Sequence, residues 1–268
     1  MLGFFALPLA MIGPLASASC PDLPGAADLF TPSHPRIIWV GEMHGTNEMP
    51  ALFGDLVCIA GESGRKVVVL LERGRDEQAN WDAFFENGDR AQLTAGKIWH
   101  WETQDGRSSE AMVALAERLR DYKAAGRLLT VRLMQRGWDE KPQASNALDN
   151  ETSMANAVKQ AAQAYPEAVI LVYSGGLHAR KTISPFDKEL PLAASLLPAA
   201  EVTSFDITGQ AGTGWNCFPS GCGVHPYAER DTHPRGILTG APEEGYDAVA
   251  YTGVPTTASM PAVRSPDR

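Results

Sequence analysis

Short runs dominated by Val, Ile and Leu punctuate the chain: Arg36 to Gly41 (RIIWVG), Lys66 to Glu72 (KVVVLLE), Arg127 to Met134 (RLLTVRLM) and Ala168 to Ser174 (AVILVYS). None alternates cleanly between apolar and polar residues, which is the pattern of strands covered on both faces. Amphipathic helices are predicted between them, first over Glu48 to Ala60 and then over Asp76 to Asn87, where Trp81, Phe84 and Phe85 share one side. In the next helix Met112, Leu115, Leu119 and Tyr122 recur at spacings of three and four, with Ser108 as the candidate cap and Gly126 as the stop. A fourth helix spans Ser153 to Tyr165 and halts at Pro166. Strands and helices in alternation predict an α/β fold, a mostly parallel central sheet flanked by helices on both faces. Later strands near Val202 to Ile207 and Asp247 to Tyr251 extend the sheet. Between them Gly209 to Arg235, rich in Gly, Pro, His and Cys, reads as a disulfide-held C-terminal excursion.

The N-terminus breaks this pattern. Residues 1–18 carry no charged side chain, and the apolar stretch from Leu2 to Leu15 is followed by Ala16, Ser17 and Ala18, the small-x-small pattern of a cleaved signal peptide. A membrane anchor would need roughly 20 unbroken apolar residues, whereas Pro8 and Pro14 interrupt this run, so no stable membrane span is expected. The domain reading is therefore a signal peptide over 1–18, one α/β domain over 19–252 and a loose tail rich in Pro, Ser and Thr over 253–268. Export to the periplasm or beyond places the cysteines in an oxidising compartment, where disulfides are expected. Cys217 and Cys222 enclose only Phe-Pro-Ser-Gly, a turn tight enough to join them, and Cys20 with Cys58 would then pin the mature N-terminus to the first helix. Four cysteines allow three pairings, and sequence alone does not select among them. Lipid anchoring at Cys20 is the lesser reading, because Ser17 stands where a lipoprotein site favours Leu.

Of the 268 residues 44% are hydrophobic and 21% charged, an ordinary globular balance. The formal net charge of -9 gives no electrostatic reason to hold a phosphate backbone, so nucleic acid is excluded as a partner and a small-molecule or peptide substrate is favoured. No glycine-rich phosphate loop and no zinc pattern of paired cysteines is present.

The chemistry-bearing residues gather where the strands end. The first strand runs into Glu42-Met43-His44-Gly45-Thr46-Asn47-Glu48, the second ends on Glu72-Arg73, and the fourth ends on Ser174-Gly175-Gly176-Leu177-His178. Parallel sheets bind ligands outside the carboxyl ends of their strands, so these segments converge on one crevice. Glycines beside both histidines let the backbone turn sharply and approach a ligand. Glu42, His44, Glu72 and His178 are thus the candidate catalytic residues. Two imidazoles and two carboxylates could instead hold a divalent metal through His44, Glu72 and His178, or a histidine could serve as general base with a glutamate fixing its tautomer. Taken singly, Glu42 could be a helix cap, Glu72 a partner for Arg73 or Arg75, and His178 a helix-start residue. The aromatic run Trp99-His100-Trp101 could be a lid or a haem-facing wall, although surface-loop packing is the commoner use of such a cluster. Arg107 precedes a helix start where an anion could sit, although a solvated loop arginine is the commoner case, and His225 and His233, each followed by a proline, read as structural.

The motif Gly-Glu-x-His-Gly-Thr-x-Glu after a first strand, an acid ending the second and a later Gly-x-x-His resemble the superfamily that joins erythromycin esterases, ChaN-like haem-binding lipoproteins and Tiki-type proteases. The resemblance runs from about Arg36 to Pro191, and its first motif is the most specific part. The Gly45-Thr46 step is similar to the esterase branch, while the compact length and Ala179 are more similar to the ChaN-like branch. By position it implies catalytic or ligand roles for Glu42, His44, Glu72 and His178. A cluster with two carboxylates behind an export signal favours an exported hydrolase, metal-dependent or not, with a haem- or metal-binding protein without turnover as the alternative and a structural exported domain with a decayed site as a third reading. The macrolide substrate of the esterases does not carry over, because the chain lacks room for their helical additions.

Overall fold

The computed structural model describes residues 19–101, 104–141, 145–228, 232–239 and 245–263. The expected signal peptide lies outside the described residues.

The Val/Ile/Leu runs become strands, buried throughout in the first two and in all but the last residue of the fourth, while the third, at the sheet edge, leaves Arg132 exposed. They are β1 (Ile37–Glu42), β2 (Val67–Gly74), β3 (Thr130–Gln135) and β4 (Val169–Gly175). With β5 (Val202–Thr208), β8 (Gly236–Thr239) and β9 (Ala248–Tyr251) they form a seven-stranded sheet in the order β3-β2-β4-β1-β5-β9-β8. The strands from β3 to β9 in that order pair in parallel, as the sequence predicts, and the sheet closes on an antiparallel edge because β8 folds back on β9. Alternate side chains of one strand enter opposite layers. Ile38, Val40, Val69 and Leu171 face α1 (Glu48–Glu62) and α4 (Glu110–Ala124), while Trp39, Leu70 and Val172 pack with Met154 and Val158 of α5 (Asn146–Ala164). Short helices α2 (Gln78–Asn87) and α3 (Arg90–Leu93) cover the first layer further, and α6 (Gly176–Ala179) is a single turn directly after β4. Among the described residues no helix is long and apolar enough to cross a membrane.

The excursion after β5 is a hairpin of β6 (Gly212–Phe218) and β7 (Gly221–Tyr227), in which Cys217 and Cys222 face each other and are disulfide-bonded. Cys20 is bonded to Cys58 of α1, so its sulfur is not free to carry a lipid.

Three local expectations are corrected. Helix α4 is not capped by Ser108, whose hydroxyl donates to the Ile98 carbonyl. The first amides of α4 go elsewhere, Glu110 N–H to Met260 O at 2.8 Å and Ala111 N–H to Ser259 Oγ at 2.9 Å. Those partners belong to residues 253–263, the stretch expected to be a loose tail, which is tied down by its backbone. Ser259 N–H donates to Gly45 O at 2.8 Å and Asn47 N–H to Thr257 O at 3.0 Å. Residues 264–268 lie outside the described residues. Helix α5 starts at Asn146 rather than Ser153, because Ser145 accepts a hydrogen bond from Leu148 N–H and so caps it.

The turn after β1 is clamped from several sides. Gly45 adopts φ +91°, its carbonyl accepts from Trp215 N–H as well as from Ser259, and a Cβ added there would lie 2.0 Å from the Trp215 carbonyl oxygen. Gly45→Ala is therefore expected to destabilise the fold by about 2–3 kcal/mol or more, combining backbone strain with a clash against backbone that cannot move aside. Urea unfolding measures this, and a wild-type midpoint would show that the turn is not rigidly held.

Candidate active site

Glu42 closes β1, pairing in register with Gly175 of β4, and Glu72 lies on β2 where the register with β3 shifts. The sheet thereby sets two buried carboxylates side by side at its carboxyl edge. His44 follows β1 by one sharp turn and His178 sits on α6. Both imidazoles lean over Glu72. His44 Nε2 is 3.5 Å from Glu72 Oε2, and His178 Nε2 is 3.5 Å from Glu72 Oε1. All four predicted residues line one cavity of about 880 Å³.

Each ring is oriented from its far side. His44 Nδ1 pairs with Glu42, and His178 Nδ1 pairs with Glu151 at 2.7 Å. An ionised carboxylate can only accept, so Nδ1 carries hydrogen in both rings and Nε2 is the nitrogen offered to the cavity. Glu72 is the hub. Its Oε2 accepts from Gly175 N–H at 2.7 Å, and its Oε1 accepts from Arg107 Nη1 at 2.9 Å. Arg107 also forms hydrogen bonds to Asp105, at 2.6 Å through Nη2. The expectation of a solvated loop arginine is thus wrong. Arg107 is drawn in because Glu72 is buried and needs a cation, and the neighbouring turn supplies one.

Electrostatics follow from this geometry. Burial alone would lower the pKa of His44, but Glu42 and Glu72 more than reverse it and hold the ring well above its ordinary value. His178 is likewise pulled down by burial and pushed up by Glu72 and Glu151, the net being a rise to about 10. Burial would raise Glu72, yet the two imidazoles keep it well below the usual carboxylate range. Asp105 would also rise through burial and is instead held below its ordinary value by Arg107. At neutral pH the cluster is a proton-loaded network of alternating charges.

The metal alternative through His44, Glu72 and His178 does not find an open carboxylate: the two Nε2 atoms approach opposite oxygens of Glu72 and the Arg107 guanidinium occupies a third side. Among the described residues the only donor group tight enough to surround an ion is Cys20, Cys58 and Glu62, and there both sulfurs form a disulfide. Nor does the aromatic run make a haem wall. Trp99 is fully buried with Arg73 4.3 Å over its ring, Trp101 stacks on Trp138, and neither lines the cavity. His225 packs edge-on against Phe218 and His233 against Tyr251, away from the site.

Sequence reasoning missed Glu151, Arg107 and Asp206, all of which line the cavity. Glu151 was legible in principle, since Ser145 is a cap whose helix carries Glu151 inward. No family model matches the sequence, and no curated protein matches it. Solved structures do. A mutant of the erythromycin esterase EreC in its open conformation superimposes with a TM-score of 0.62 at 12% identity, over 85% of this chain and 91% of that one. The chain has the erythromycin esterase fold. The same fold relates it to a protein of Bacillus cereus (TM-score 0.63, 12% identity, 85% and 90% covered) and to a succinoglycan biosynthesis protein (TM-score 0.64, 10% identity, 84% and 89% covered). Within this fold the cluster of Glu42, His44, Glu72 and His178 occupies the carboxyl edge of the sheet, where parallel sheets place their ligands.

Proposed function

We propose that the protein is an exported hydrolase that cleaves an ester or related carbonyl bond with His44 as general base. The observation that carries this reading is the suspension of His44 between Glu42 and Glu72 at the floor of a cavity large enough for a small molecule. Glu42 fixes the ring so that, once His44 has released its proton, the Nε2 lone pair faces the substrate. Water bound there gives a proton to Nε2 as its oxygen attacks the carbonyl carbon. His178, still protonated and held by Glu151, is placed to stabilise the oxyanion that develops. The His44 imidazolium then returns its proton to the leaving oxygen as the carbon–oxygen bond breaks. No step requires a metal. Export is supported by the apolar, charge-free residues 1–18 and by two disulfides.

The test is hydrolysis of a panel of chromogenic esters and peptides by wild type and by His44→Ala. Loss of the base is expected to lower kcat by about 10²–10⁴-fold. Because the substitution also takes a cation from buried Glu42 and Glu72, some loss of stability is expected with it, and turnover is compared at a temperature where the variant is fully folded. Equal turnover by the variant, or a large loss of stability without loss of turnover, would overturn the assignment.

A further inference from the structure

Among the described residues that line the cavity, one cation is not used by the cluster. Arg107, His44 and His178 are each committed to carboxylates. Arg180 lines the same cavity two positions beyond His178, yet among the described residues no carboxylate pairs with it. The adjacent Lys181, by contrast, is spent on Asp247 at 2.8 Å.

Arg180 is nevertheless held in place. Its guanidinium lies 5.4 Å from the centre of the Tyr246 ring, and the Tyr246 hydroxyl is fastened by donation to the Gly176 carbonyl at 2.7 Å. Its backbone N–H ends α6 on Leu177 O, and Lys181 N–H donates to Gly245 O. A guanidinium laid on an aromatic face, with its N–H fork free at the edge, is preorganised for a planar anion. Around the mouth stand exposed apolar side chains: Phe186 at 84% exposure, Leu177 at 40% and Met43 at 43%. Phe186 projects from a loop closed on itself by the Ile183–Pro191 bridge and the Ser184 N–H to Leu190 O bond.

We propose that the substrate carries an anionic group, a carboxylate or a phosphate, near the bond to be cleaved, that Arg180 holds this group, and that an apolar remainder lies against Phe186 and Leu177. This rests on the hydrolase reading for the bond cleaved, but the anion site stands on its own geometry. Because Arg180, directly after α6, and His178, on α6, line the same cavity, a single small molecule reaches both. The arginine sets specificity by contributing a charge-assisted, two-pronged contact that a neutral substrate cannot make.

Two esters with the same leaving group, 4-nitrophenyl butyrate and 4-nitrophenyl hydrogen succinate, test the proposal. Wild type is expected to favour the anionic ester by roughly 10- to 100-fold in kcat/KM, the range of a charge-assisted pair. Arg180→Gln should bring that ratio to about one, mainly through KM, and Arg180→Lys should keep part of it by retaining charge without the fork. A wild-type ratio near one, or a ratio that Arg180→Gln leaves in place, overturns the proposal. If neither ester is cleaved, the ester-hydrolase reading fails and the anion site is judged by calorimetry with succinate and with inorganic phosphate. Binding to wild type that weakens about tenfold or more in Arg180→Gln supports the site, and the tighter of the two anions identifies the group. Absence of binding by both, or equal binding to wild type and variant, removes it.

Discussion

Glu72→Gln is expected to cost about 3–5 kcal/mol of folding stability and to lower kcat by about 10²–10⁴-fold, although it changes almost no volume. Glu72 accepts from the Gly175 amide and from Arg107 and faces both imidazoles. A glutamine retains one acceptor oxygen. Its amide nitrogen must then meet a donor, either Gly175 N–H or the Arg107 guanidinium, and one of those buried groups loses its partner. The lost charge also leaves Arg107 with Asp105 alone and removes the attraction that holds His44 and His178 protonated. Urea unfolding gives the stability change, and NMR titration of the two rings should find both pKa values lowered. A variant that loses less than about 1 kcal/mol and keeps its ring pKa values would show that Glu72 is not the hub.

The sheet and the four central residues were legible because strand ends are written locally. A Val/Ile/Leu run followed by Gly, Glu and His marks both the strand and what stands at its carboxyl edge, and parallel pairing gathers such edges by topology alone. The partners that complete the site were not legible for the opposite reason. Arg107 enters from a turn between helices, and nothing in Asp105-Gly106-Arg107 distinguishes it from a surface turn until Glu72 is known to be buried. Glu151 escaped because α5 begins with polar residues before its apolar stripe, so the hydrophobic period starts late while the Ser145 cap starts the helix early. Residues 253–263 have the composition of a loose tail. They are ordered by backbone hydrogen bonds to Gly45, Asn47 and α4, which leave no trace in side-chain pattern. Arg180 was hidden by its neighbour, since a run of Arg180-Lys181 reads as solvated until Lys181 is seen bound to Asp247.

Raising the pH from about 7 to about 10 is expected to move activity and stability in opposite directions. His44 works as a base only after losing its proton, and Glu42 and Glu72 hold that proton on well above the ordinary imidazole value of about 6.5. The rise in kcat/KM should therefore fall on the alkaline side of neutrality, as a property of the coupled cluster rather than of one ring. Stability runs the other way. His178 titrates near 10 in the folded protein and near 6.5 when unfolded, so its favourable contribution is fully present below about 6.5 and disappears as the pH climbs through about 10. Over that window stability should fall with a slope approaching about 1.4 kcal/mol per pH unit for each proton retained by the fold. Lysines and tyrosines elsewhere also titrate at high pH, so the informative quantity is the difference between wild type and His178→Gln, which lacks this proton. Among the described residues no cysteine is free to start disulfide exchange in alkali. Urea midpoints at intervals from pH 6 to 10 should converge for the two proteins as the pH rises. Parallel curves, or an activity limb centred near 6.5, would mean that the buried acids do not hold these protons.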